Sequence, residues 1–126
     1  RTRLMGVLVD AVNEAGAVPP PDLPPGPSFF RFADETVFTA LLTGAGFTDV
    51  SVRTVTFEQH IDDTGRLWDA LLAGSVRISP LVLGQPKATQ VRIRETFDRL
   101  IDRHASAGGG VDLPISVKLA GGVRPA

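Results

Sequence analysis

The chain has 126 residues, 43% of them apolar, and its 13 cationic and 14 anionic side chains leave a formal charge of −1. That length supports one domain with a real core and is short for two, and so small a charge excludes the electrostatic footprint of a nucleic-acid or anionic-membrane binder. The absence of cysteine excludes disulfides and thiolate metal sites. No apolar run reaches the roughly 18 residues of a membrane span, and a cytoplasmic location is the expectation.

Arg1 and Arg3 before Leu4 to Val9 have the outline of a signal peptide, but Asp10 and Glu14 interrupt it and no cleavage site follows. Leu4, Leu8, Ala11, Val12 and Ala15 instead fall at helical spacing, with Asp10, Asn13 and Glu14 opposite. Gly16 is the stop and Pro19 prevents extension. Helical periodicity under way by Leu4 in a chain that begins with Arg1 predicts a fragment of a longer protein. Arginine outnumbers lysine eleven to two, the bias of a GC-rich genome.

From Pro19 to Pro27 lie six of the ten prolines. Residues 17–28 therefore read as a stiff connector that can join neither a helix nor a central strand; a rigid linker is a better account of it than a polyproline ligand. Three aromatics follow at once: Phe29, Phe30 and Phe32. Asp34 is positioned to cap a helix whose apolar stripe is Val37, Phe38, Leu41, Leu42 and Ala45, ending near Gly44 or Gly46. From Asp49 to Ile61 the texture is β-branched. Val50 and Val52 are out of phase with Val55, Phe57 and Ile61, which predicts a bulge near Arg53-Thr54, or else a strand buried on both faces.

Asp62 or Asp63 is expected to cap the next helix, which carries Leu67, Trp68, Leu71 and Leu72. Ser79-Pro80 reads as N-cap and first residue of a short helix. Gln85-Pro86 starts the longest helix, to about Ala105, with Ile93, Phe97, Leu100, Ile101 and His104 on one face and Arg94/Asp98 and Glu95/Arg99 as i,i+4 pairs. Gly108 to Gly110 read as a flexible break. Val111, Leu113, Ile115, Val117 and Leu119 then alternate with Asp112, Pro114, Ser116 and Lys118, the signature of a strand.

Residue chemistry is sparse. His60 and His104 are the only histidines. His60 beside Asp62 and Asp63 could form an acid/base or metal cluster, yet the spacing matches no metal signature and carboxylates at a strand-to-helix turn are usually caps. Gly108–Gly110 lies between helix and strand, the reverse of a phosphate-binding loop, and Gly121-Gly122 has no helix after it. No catalytic residue, cofactor ligand or metal ligand emerges. Phe30, Arg31, Trp68 and Arg77 are the candidate substrate-binding residues, two apolar walls and two cations able to orient an anion. Core filling for Trp68 and surface exposure or ion pairing for the arginines are the plainer alternatives.

The order Ser28-Phe29-Phe30-Arg31-Phe32-Ala33-Asp34, a helix, Ala45-Gly46-Phe47-Thr48-Asp49-Val50, a strand, and Leu67-Trp68-Asp69-Ala70-Leu71-Leu72-Ala73-Gly74 resembles the C-terminal half of class I S-adenosylmethionine-dependent methyltransferases. Bacterial small-molecule enzymes of the ubiquinone/menaquinone-biosynthesis type are the nearest comparison, and the likeness runs from Leu4 to Gly122. It implies an α/β class, the C-terminal portion of a Rossmann-like methyltransferase fold with helices packed on an antiparallel strand pair. It also implies S-adenosylmethionine as cofactor of a longer parent, a small-molecule methyl acceptor, and Phe29–Phe32, Phe47 and Trp68 near the acceptor side. The family's glycine-rich loop and following acidic residue have no counterpart here, so the chain alone is expected to be inactive and to bind no S-adenosylmethionine. A free-standing helix-grip ligand-binding module and a dimerisation piece are the competing readings; the latter would pair copies through an exposed strand edge.

Overall fold

The computed structural model describes residues 3–24, 26–28 and 30–126, with the side chain of Arg3 outside that set. Arg1, Pro25 of the connector and Phe29 of the aromatic cluster lie outside the described residues. The elements are α1 (Arg3–Glu14), α2 (Glu35–Gly44), β1 (Thr48–Ile61), α3 (Thr64–Gly74), α4 (Ile78–Leu83), α5 (Lys87–Ile101), a short 3-10 turn (Asp102–His104) and β2 (Val111–Val123).

Local chemistry accounts for most of the boundaries. Asp34 Oδ1 accepts from the Thr36 and Val37 amides at 2.7 and 3.3 Å, and Asp63 accepts from the Arg66 amide at 3.0 Å. The otherwise unpaired amide N–H groups of a first turn are the usual reason Asp is found there. Both α1 and α2 end in a Schellman motif: Ala17 bonds to Val12 and Gly16 to Asn13, as Phe47 does to Leu42 and Gly46 to Thr43. Gly16 and Gly46 supply the left-handed φ, +68° and +90°, that these stops require. Val18 leaves α1 and exchanges two hydrogen bonds with the side-chain amide of Gln85, so the connector begins anchored to the end of α4.

β1 and β2 pair antiparallel with Ile61 opposite Val111 and Ser51 opposite Gly121. Residues directly opposite share a face. Ile61, Gln59, Phe57 and Val55 therefore lie with Val111, Leu113, Ile115 and Val117 on one face, and His60, Thr54 and Val52 with Asp112, Lys118 and Ala120 on the other. α1 and α5 pack together, with α1 against the first face of β2; α2 lies against the sheet from the second face. The core joins Leu8, Ala11 and Val12 of α1, Trp68 and Leu71 of α3, Ile78 and Val82 of α4, Ile93, Phe97 and Ile101 of α5, and Val111, Leu113 and Ile115 of β2.

Several expectations are corrected. The irregularity in β1 falls between Thr48 and Ser51, where Asp49 has φ +49°, and not at Arg53-Thr54. The phase switch arises because β1 is covered on opposite faces at its two ends. The apolar stripe of α2 is not core: no α2 residue is buried, and Val37 and Leu41 are exposed. Arg77 rather than Ser79 precedes α4, without a side-chain cap. The α-helix ends at Ile101, and Arg99 pairs with Glu14 of α1 rather than with Glu95, while Arg94/Asp98 forms as expected. Gly108 to Gly110 form a defined turn in which a Cβ on Gly110 would collide with the Ile61 carbonyl, and β2 continues through Gly121-Gly122 to Val123.

Candidate functional site

Among the described residues, concave regions border the helical core, and two of them bear on the candidate side chains. The first sits where β1 turns into α3 and is lined by His60, Ile61, Asp62, Asp63, Arg66 and Leu67, with a volume of about 310 Å³. His60 ends β1 on the face opposite the core. The register places Asp112 directly across from it, and Nδ1 lies 2.6 Å from Asp112 Oδ1 while Nε2 lies 3.1 Å from Asp62 Oδ1. Ionised carboxylates only accept hydrogen bonds, so an imidazole bonded through both nitrogens must carry hydrogen on both. The two flanking carboxylates therefore favour the imidazolium form of His60.

The electrostatics follow. The hydrogen bond from His60 to Asp112 raises the His60 pKa above its ordinary 6.5, with the Asp112 and Asp62 charges adding to it against some desolvation. The same bond, followed by one from Ser106, draws Asp112 below its ordinary 3.8. The cluster ties the two strands and the β1–α3 turn together. Among the described residues no group of three or more His, Asp or Glu side chains is placed to hold a metal ion. Asp63 is committed to capping α3.

The second region is a cleft of about 310 Å³ between α3, α4 and α5, with Trp68, Leu72, Val82, Leu83, Lys87, Gln90, Val91 and Arg94 around it. Trp68 is buried, its ring 5.1 Å from that of Phe97 and inclined by 57°. Arg94 lies over the indole ring, 5.1 Å from its centroid, and is held there by Asp98. Trp68 therefore fills core and also forms the floor of a surface cleft.

The four sequence candidates do not converge. Phe30 and Arg31 occupy the turn before α2, where Arg31 stacks on Phe32 at 5.2 Å and Phe32 meets Phe38 at 5.6 Å. Arg77 Nη1 donates to the Pro27 carbonyl at 2.9 Å, and its guanidinium fills the space a Cβ on Gly26 would need. That contact fastens the proline-rich connector to α4. None of these three residues lines the Trp68 cleft. Sequence reasoning missed Asp112 as the partner of His60, because 52 residues separate them and only the strand register brings them together. It missed Lys87 and Arg94 as the rim of the cleft for a similar reason.

β1 runs into α3 through Asp62-Asp63-Thr64-Gly65, an acidic turn in which Asp62 meets His60 and Asp63 caps α3. Among the described residues no helix is long and apolar enough to cross a membrane. In comparisons with known proteins, no family model and no curated protein matches the chain.

Proposed function

We propose that this chain is the acceptor-side, C-terminal part of a class I S-adenosylmethionine-dependent methyltransferase acting on a small molecule, inactive by itself. The observation that carries the reading is an interrupted sheet. The apolar face of the strand pair continues beyond the helices that cover it, leaving Val55, Phe57, Val117 and Leu119 exposed at 37, 47, 39 and 43%. Two strands alone make a marginal sheet, and among the described residues no third strand pairs with either. An additional strand beside β2, with helices over both faces, would complete an α/β layer structure and cover those side chains. The order α2, β1, three helices and an antiparallel β2 is the order that the resemblance implies. In methyl transfer much of the rate comes from holding donor and acceptor in line; the donor's share of that task falls to the parent's other half.

Titration calorimetry tests this directly. The chain alone should show no binding of S-adenosylmethionine, and a chain extended upstream of Arg1 should bind it. Micromolar binding to the isolated chain, or an upstream sequence without a strand and glycine-rich turn, would overturn the proposal. The same uncovered face and the open edge of β2 favour one alternative, a dimerisation module in which a second copy takes the place of the missing strand. Sedimentation velocity separates the two: a strictly monomeric, well-folded species excludes the dimer.

A further inference from the structure

We propose that the Trp68 cleft is a binding site for a small amphipathic carboxylate, an aryl or alkyl group ending in an acid. The cleft is complete within the described residues and does not depend on the methyl-transfer reading. Its floor is apolar: Trp68, Leu72 and Val82, of which Trp68 and Val82 belong to the buried core. Its walls are Leu83 from α4 and Val91 from α5, which are 57 and 55% exposed. Two large aliphatic side chains facing solvent on either side of one depression are better explained by a ligand's apolar body than by packing within the chain.

Charge then selects the ligand. Lys87 and Arg94 are the only ionisable residues lining the cleft, and both are cations. Arg94 is already neutralised by two hydrogen bonds to Asp98 and is stacked on the indole. Lys87 has no hydrogen bond or ion pair among the described residues, so its ammonium is available to an incoming carboxylate. Gln90 shapes the rim but is occupied, its amide donating to the Leu83 and Gln85 carbonyls at 3.1 and 2.8 Å. A volume of about 310 Å³ is at the small end of ligand pockets, which suits a single ring or short chain rather than a polycyclic molecule.

Trp68 is the only tryptophan and the chain has no tyrosine, so intrinsic emission reports on the cleft alone. Titration with 4-phenylbutyrate should give a saturable change in Trp68 emission at sub-millimolar to millimolar concentration, and neutral 4-phenylbutyramide should bind about fivefold more weakly, the upper end for an exposed ion pair. Lys87→Gln should bring the acid down to the level of the amide and leave the amide unchanged; circular dichroism before and after heating checks that this exposed substitution has not altered the fold. Equal binding of acid and amide, no loss in Lys87→Gln, or no saturable change up to several millimolar would each overturn the assignment. Leu83→Asp gives a further check, since an added carboxylate on the wall should abolish binding of the acid.

Discussion

The two ends of the antiparallel β1–β2 pair carry the same alternation of apolar residues in opposite surroundings. Val111 and Leu113 sit at 2 and 0% exposure beneath α1, in the core shared with α5, whereas Val117 and Leu119, on the same face of the same strand, are about two-fifths exposed. Among the described residues the helix at that far end is α2, and it lies on the other face. It is held there by polar contacts: Glu35 accepts from Thr54 at 2.6 Å and from Lys118 at 2.8 Å, and Lys118 also donates to Thr54. A dry aliphatic interface and a hydrated polar clamp thus share one sheet. Alternation specifies that a face is apolar, and coverage decides whether it contributes to stability.

Paired truncations test that contrast most severely. Leu113→Ala should cost about 2–5 kcal/mol by urea unfolding, because it leaves a cavity in a closed core. Leu119→Ala should cost less than about 1 kcal/mol, since much of that side chain is already in water. Similar losses at the two sites would mean that the far face is covered in solution. If the Leu119→Ala loss then grew with protein concentration, a second copy would be the cover.

A smaller effect sharpens the comparison at α2. With no fully buried residue, Phe38 and Leu42 being only half-buried, that helix leans on its ends and its clamp, so Asp34→Ala should cost about 1 kcal/mol, with amide exchange accelerated across Glu35–Gly44 and little changed in α5. Acceleration of equal size in α5 would show that α2 is energetically part of the core. Glu35, drawn below its ordinary 4.5 chiefly by the Lys118 hydrogen bond, adds a pH dependence to the same helix. Its contribution is present above 4.5 and is lost as pH falls through its folded value.

The smallest expected effect belongs to the exposed His60 cluster. A group with a raised pKa stabilises most below its unfolded value, and one with a depressed pKa most above its own. The His60–Asp112 contact should therefore be strongest between 3.8 and 6.5, weakening upward as His60 loses its proton and downward as Asp112 gains one. In an NMR titration His60 should titrate above 6.5, with both ring nitrogens protonated at pH 6, and Asp112→Asn should bring it back toward 6.5. A wild-type midpoint at or below 6.5 would refute the imidazolium geometry.

Local signals located most of the elements because their causes are local. A carboxylate one residue before a helix, a glycine two residues after one, and a strict period of two act within a single turn or strand, so Asp34, Asp63, Gly16, Gly46 and the alternation from Val111 were legible in the sequence. Residues that act across the chain were not. Arg77, a candidate anion ligand in the sequence, secures the proline connector, and His60, whose visible neighbours were Asp62 and Asp63, finds its shorter contact in Asp112. Arg99 could reach Glu95 within its own helix and pairs with Glu14 instead, because α1 packs against α5.

What the sequence determined by itself was therefore the set of helices and strands, most of their caps and stops, and the apolar character of each face. Only the tertiary structure decided which apolar face is covered, which charges meet, and where a concave surface opens. Capping and alternation are satisfied within a few residues, whereas burial and ion pairing depend on which distant segments pack together. Strand β2 shows both: its pattern is written continuously from Val111 to Leu119, and its close coverage stops after Ile115.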